Sequence, residues 1–339
     1  MPWHGYGRLR PTELIPLMKM PLLCFLLLLS RALCTDQINT APNPQLQQRL
    51  DAVAPKVETL SGDGDSGKVR AILNVALEKT KACLEAGDSK DAGDLLNDIE
   101  SALAKNPHDL VSPSNQTNTI SAIRPPHSVI GNPYIANLVA GAKEELSKPT
   151  KSFAKNTAAL NTFSGLVGDT GSRSSGDELQ AWLWLFSNPA SPLKDNPKVL
   201  ERFLRLAHAY TDAMEVHGGV TLARPHEIQG PALVGGQGSV GSETSPLAGQ
   251  GIFDDFAIAP VSCALREFAQ LYPFMLLPSQ KAQWDRAMNI GGSIMWAKAK
   301  ERQGTYANID LALAFQMLNF GLYLNNKEYL DKSHFLYEA

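Results

Sequence analysis

The chain has 339 residues, 44% of them hydrophobic and 19% charged, which is enough apolar material for a sizeable core and excludes global disorder. Lys and Arg number 31 against 34 Asp and Glu, a formal net charge of −3, so the chain carries no basic footprint of the kind that nucleic acid selects. At roughly 100–200 residues per domain, this length accommodates about two domains.

The N-terminus reads as a secretory signal over residues 1–34. Arg8, Arg10 and Lys19 supply positive charge, Pro21 to Leu29 is an unbroken apolar run, and Ala32-Leu33-Cys34 offers small residues for cleavage. The stretch before Met18 is long for a signal, so Met18 or Met20 is a candidate start. The apolar run is shorter than the about 20 residues a bilayer crossing needs, so no membrane span is expected. A lipoprotein site at Cys34 fits less well, because Arg31 stands where a small residue belongs. The segment carries four basic residues and one acidic one, leaving 27 against 33 and a net charge of −6 in an exported, periplasmic or secreted product. Of the four cysteines, Cys83 and Cys263 remain; they read either as a disulfide in an oxidising compartment or as two buried thiols. Asn115-Gln116-Thr117 matches the glycosylation triplet, a pattern common by chance.

Residues 40–105 read as a small helical domain. Leu46, Leu50, Val53 and Val57 share a helix face, a flexible Ser/Gly/Asp stretch covers 61–67, and Val69, Leu73, Ala76 and Leu77 open a second helix that Gly87-Asp88 breaks. Leu95, Leu96, Ile99 and Leu103 make a third, ended by Asn106-Pro107. Residues 106–135 hold five prolines and read as a linker, and 136–176 as an ambiguous segment ending in a Gly/Ser-rich loop.

From Asp177, which with Gln180 forms a candidate capping pair, the pattern is helical again. Leu179–Phe186 carries Trp182 and Trp184 and stops at Asn188-Pro189. Val199, Phe203, Leu206, Tyr210 and Ala213 give an amphipathic helix ending at His217-Gly218-Gly219. The Gly-, Ser- and Pro-rich stretch 218–252 has no helical period and marks a long, functional or disordered loop. A helix from Pro260 to about Leu277 is expected to kink at Pro273. The next starts at Pro278-Ser279, packs closely at Gly291-Gly292 and ends at Gly304. A further helix runs from near Asn308 to Leu324, and another opens at Tyr329-Leu330. The whole is expected to be all-α, with 136–339 forming helical hairpins stacked as an open solenoid or an incomplete α/α toroid. The chain stops one turn into its last helix, so it reads as a piece of a longer protein.

Several constellations offer chemistry. Tyr306-Ala307-Asn308-Ile309-Asp310 sits at a helix start. Together with Trp182/Trp184 and the Asn188-Pro189…Pro192…Pro197 turn before an amphipathic helix, it resembles the helical-toroid polysaccharide lyases, the alginate lyase and heparinase-like group, over residues 177–339. The resemblance implies β-elimination on an acidic, uronate-containing polysaccharide, with Asn308 neutralising the carboxylate and Tyr306 serving as base or acid. It implies no cofactor, and a further β-sandwich domain downstream of this chain. Neutralisation acidifies the adjacent carbon–hydrogen bond, so a modest base can remove the proton. The simpler alternative makes Asn308 a helix cap with Tyr306 packed outside it.

In the long loop, Arg224 suits a carboxylate or sulfate, His226 can transfer protons near neutrality, and His217 stands at its edge; the alternative is a solvated loop. Asp254, Asp255 and Asp310 are candidate glycosidic acids and bases, or simply caps. Trp182 or Trp184 can stack on sugar, though core packing accounts for both more simply. P-loop, dinucleotide, nucleophile-elbow and zinc-protease motifs are absent. A second reading starts from Cys83–Asp88 and Ala104–Pro107, which resemble a tetratricopeptide-type second helix and exit, echoed faintly in 321–339. It implies a non-catalytic helical-repeat module that binds protein or glycan.

Overall fold

The computed structural model describes residues 43–111, 133–148, 172–221, 258–302, 304 and 307–338. Among these residues every regular element is a helix: α1 (Pro44–Glu58), α2 (Gly64–Ala86), α3 (Ser89–Leu103), α4 (Pro107–Val111), α5 (Pro133–Ser147), α6 (Ser172–Ser187), α7 (Pro197–Thr221), α8 (Ile258–Leu271), α9 (Pro278–Arg302), α10 (Ala307–Leu324) and α11 (Lys327–Glu338).

The helix ends follow local chemistry. Asn43 accepts a 3.1 Å bond from Gln45 N ahead of Pro44, which pre-sets the first turn of α1. Between α2 and α3, Gly87 takes φ +79°, and Gly87 N and Asp88 N bond back to Leu84 O and Cys83 O, the Schellman arrangement that a left-handed glycine permits. Asp88 then caps α3 through Asp91 N at 3.0 Å. At the start of α9, Gln280 reaches back to Leu277 N at 3.1 Å, while Asp98 of α3 accepts from Ser279 N at 2.7 Å. One helix is thus capped by a side chain from a segment far away in sequence.

The helices stack in two layers. α6, α8 and α10 lie side by side in one; α2, α7 and α9 make the other, with α6 packed on α7 and α9 on α10. α1, α3 and α4 flank α2, and α11 closes against α10. α7 lies at the centre and is buried without a break from Arg202 to Asp212, as a helix covered on all sides must be. Close approach is bought by glycine: a Cβ on Gly291 would lie 2.4 Å from Met214 Cε, and one on Gly292 would lie 2.8 Å from the Tyr329 ring.

Several boundaries fall elsewhere than the sequence pattern suggests. Residues 44–111 do not stand apart from the rest. Buried residues from Leu50 to Leu336 make one core, and the stretch from Pro42 onward is one compact unit. α2 buries Val69, Ala71, Ile72, Leu73, Val75, Ala76 and Leu77, more faces than α1 and α3 cover, and α7 covers the remainder. The 61–67 stretch is helical from Gly64, because Gly67 N bonds Asp63 O at 2.9 Å. Asp177 lies inside α6, which begins at Ser172, so it caps nothing. α7 runs through Gly218-Gly219 to Thr221, since glycine lowers helix stability by only about 1 kcal/mol per residue. α8 ends at Leu271, ahead of Pro273, whose missing N–H and whose effect on Tyr272 stop the helix outright instead of kinking it. Within the expected linker, 107–111 and 133–135 are helical, and 112–132 lie outside the described residues.

Candidate functional site

The N-terminal end of α10 carries the residue singled out for carboxylate neutralisation. α10 starts at Ala307, so Asn308 is its second helical residue, not its cap, and its side chain is exposed. Asp310 instead closes this end, its two oxygens accepting from Gly304 N at 3.3 and 3.0 Å. Gly304, at φ +76°, supplies the left-handed turn between α9 and α10 that brings this N–H round. Asp310 is thereby committed to the turn. Among the described residues no side chain bonds Asn308, which leaves its amide, a donor and an acceptor, facing solvent at the positive end of the helix dipole.

The other candidates are dispersed. Trp182 is only 2% exposed, its ring packed in the core and its Nε1 donating to Glu178 Oε1 at 3.1 Å, so it offers no face to a sugar. Trp184 is half-buried at the edge of the same core. His217 lies in the last turns of α7. Tyr306, Arg224, His226, Asp254 and Asp255 lie outside the described residues, as does Asn115. Cys83 and Cys263 are both buried free thiols. Burial pushes the Cys83 thiol up to about 11 against the pull of nearby Lys79, so it stays protonated.

A polar junction buried between α2, α7 and α9 went unread in the sequence. Lys79 of α2 and Gln283 of α9 both donate to Asp212 of α7. One turn earlier on α7, His208 Nδ1 accepts from Trp284 Nε1 at 3.3 Å, and its ring meets the Trp284 ring edge-on. Indole N–H can only donate, so His208 must be the neutral tautomer with its proton on Nε2. Burial first, then the Lys79 charge, pushes its pKa down to about 3. Burial likewise lowers the Lys79 ammonium, against the pull of surrounding carboxylates.

Two turns away Arg205 pairs with Glu78 of α2 and with Glu201 at 2.9 Å; burial disfavours its charge, but the bonds and charges of Glu78 and Glu201 together more than restore it. At the rim, Arg286 of α9 bonds Glu215 at 2.6 Å and approaches Asp91 at 3.9 Å. With His208 fully buried and Asp212 and Gln283 nearly so, these groups meet one another, not a substrate. The signal the sequence offered was the row Arg205, His208, Asp212 along the side of α7 opposite Val199, Phe203, Leu206 and Tyr210.

Among the described residues, no group of three His, Cys, Asp or Glu is placed to hold a metal ion, and no helix is long and apolar enough to cross a membrane. Comparison with protein-family models, with curated proteins and with solved structures finds no match for this chain.

Proposed function

We propose that the protein is an exported polysaccharide lyase that cleaves an acidic, uronate-containing polymer by β-elimination. The observation that supports this most is Asn308: an exposed amide in the first turn of α10, beside a turn that Asp310 already closes, so that helix capping does not explain it. The stacked helices α6–α8–α10 and α2–α7–α9 are compatible with an incomplete α/α toroid. In the reaction, the Asn308 amide and the α10 dipole stabilise charge that spreads from the α-carbon onto the uronate carboxylate. Tyr306 or His226 removes the proton, Arg224 and His217 hold neighbouring anionic groups, and the 4-linked sugar departs. Trp182, being core, has no part in it.

The test is formation of the unsaturated uronate, followed by ultraviolet absorbance, on alginate, heparin-like, chondroitin-like and ulvan-like polymers. Asn308→Ala should abolish turnover with helix content and thermal stability unchanged, because the neutralising bond matters most in the transition state. A cap would instead cost about 0.5–2 kcal/mol of stability and leave the folded fraction active. The stacked hairpins favour one second reading, a non-catalytic helical-repeat module that binds protein or glycan. Inactivity of the wild type on all four polymers selects it.

A further inference from the structure

α5 is held more lightly than any other helix. Among the described residues it is the one helix that no other packs closely against. Leu138, Val139 and Leu146 rest on the common core half-covered, and of its described side chains only Ala142 is fully buried. A stretch with few buried apolar contacts and a backbone largely open to water separates from a fold at a lower free energy than the core does. Once separated, a helix of 15 residues is marginal in water. Undocking and unwinding of α5 are therefore one event.

The C-terminal end of α5 is joined to α7 by a single side chain. Arg202, in the second turn of α7 and only 6% exposed, donates from Nη2 to Glu145 O at 3.2 Å and to Lys148 O at 3.1 Å. These carbonyls belong to the last turn of α5 and to the residue just past it, where a helix runs out of its own donors and its dipole is negative. The other bonds here are local and travel with α5: Ser147 Oγ donates to Glu144 O at 2.6 Å, and Lys148 Nζ to the Glu145 carboxylate at 3.0 Å. Arg202 instead crosses from another helix. Burial disfavours its charge, against the attraction of Glu145, so the docked guanidinium depends on the oxygens that α5 brings to it.

We infer that α5 is a strap: it undocks as a unit while the rest of the fold stays intact, and the bonds from Arg202 to Glu145 O and Lys148 O are its latch. Closed, α5 covers the Arg202 guanidinium. Open, it leaves that cation at the surface of α7. The strap is independent of the lyase reading, since its readout is amide exchange and not turnover.

Hydrogen exchange on the full chain, read by mass spectrometry across a series of sub-denaturing urea concentrations, tests this. In the wild type the amides of 137–147 should exchange at least about a hundredfold faster than those of α7 and α9, with little dependence on urea, because the opening exposes little surface. Arg202→Ala should speed exchange in α5 about ten- to a hundredfold, the effect of losing hydrogen bonds from a charged donor, and leave α2 and α9 at their wild-type rates. Protection of α5 equal to that of α7 and α9, with the same urea dependence, overturns the strap. So does exchange at the rate of unstructured chain, since no closed form then exists. An Arg202→Ala protein whose α5 exchanges at the wild-type rate, or only in step with α2 and α9, overturns the latch. The wild-type series decides the strap even if the variant fails to fold.

Discussion

Acid should unfold this protein through His208, and His208→Gln isolates that effect. The imidazole is fully buried, with a pKa held at about 3 against an ordinary 6.5. Between these two values the unfolded chain takes up a proton that the folded one refuses. The contribution of His208 is therefore present in full above pH 6.5 and is lost progressively as pH falls toward 3. With a factor of ten in proton affinity worth about 1.36 kcal/mol, the whole span is on the order of 5 kcal/mol, about half of it already lost at pH 4.5.

That is a large share of a typical stability of about 5–15 kcal/mol. The surroundings explain why no compensation arrives: Asp212, the nearest anion on α7, is already engaged by Lys79 and Gln283, so protonation adds an unbalanced charge. Glutamine keeps an acceptor for Trp284 Nε1 and does not titrate. Urea unfolding of both proteins at pH 7.5, 6.5, 5.5 and 4.5 gives the answer, with surface carboxylates contributing equally to each. Wild type should lose about 2–3 kcal/mol more than His208→Gln between the extremes. Parallel curves for the two proteins would refute the buried neutral imidazole.

Three further outcomes can be checked. Asp212→Ala removes the buried carboxylate to which both Lys79 and Gln283 donate and should cost about 3–5 kcal/mol in urea unfolding. Gly292→Ala should lower the melting temperature despite alanine's better helix propensity. The new methyl meets a Tyr329 ring fixed by Ser293 Oγ at 3.0 Å and Asn289 O at 3.2 Å, and overpacking of about 1–3 kcal/mol outweighs a gain of about 1. A maleimide or disulfide reagent at pH 8 should label Cys83 and Cys263 slowly in the native protein and at once in urea, as located by peptide mapping, because burial raises both thiols.

Helix faces were legible in the sequence, because periodicity reports burial directly. Val199, Phe203, Leu206 and Tyr210 are all fully buried, and so is Val57, with Leu50 and Val53 nearly so. The need for glycine at 291–292 was legible for a similar reason: a pair of adjacent small residues in an apolar helix marks a close crossing. Less legible were features that depend on a distant partner. Arg205 and Asp212 look like the polar side of α7 until Glu78 and Lys79 stand opposite, 127 and 133 residues earlier in the chain. Glu178 was the clue to Trp182, an acceptor four residues away that receives the indole N–H within the core. Asn308 was found by its position at a helix start, though its exposure came from the way Gly304 and Asp310 complete the turn without it.

The central position of α7 sets the order of events while the protein is made. α2 is complete at Ala86, and the helix that covers it ends at Thr221. At about 5–20 residues per second, roughly ten seconds of synthesis separate the two. Closing a loop of that length costs about 4 kcal/mol in chain entropy, so α2 and α7 will not find each other early by chance. Throughout this interval the side of α2 that α7 covers lacks its partner, on a nascent chain that α1 and α3 shield only in part. A substitution that weakens α7 will thus first appear as lost yield and aggregation during expression, well before any change is seen in the properties of the molecules that do fold.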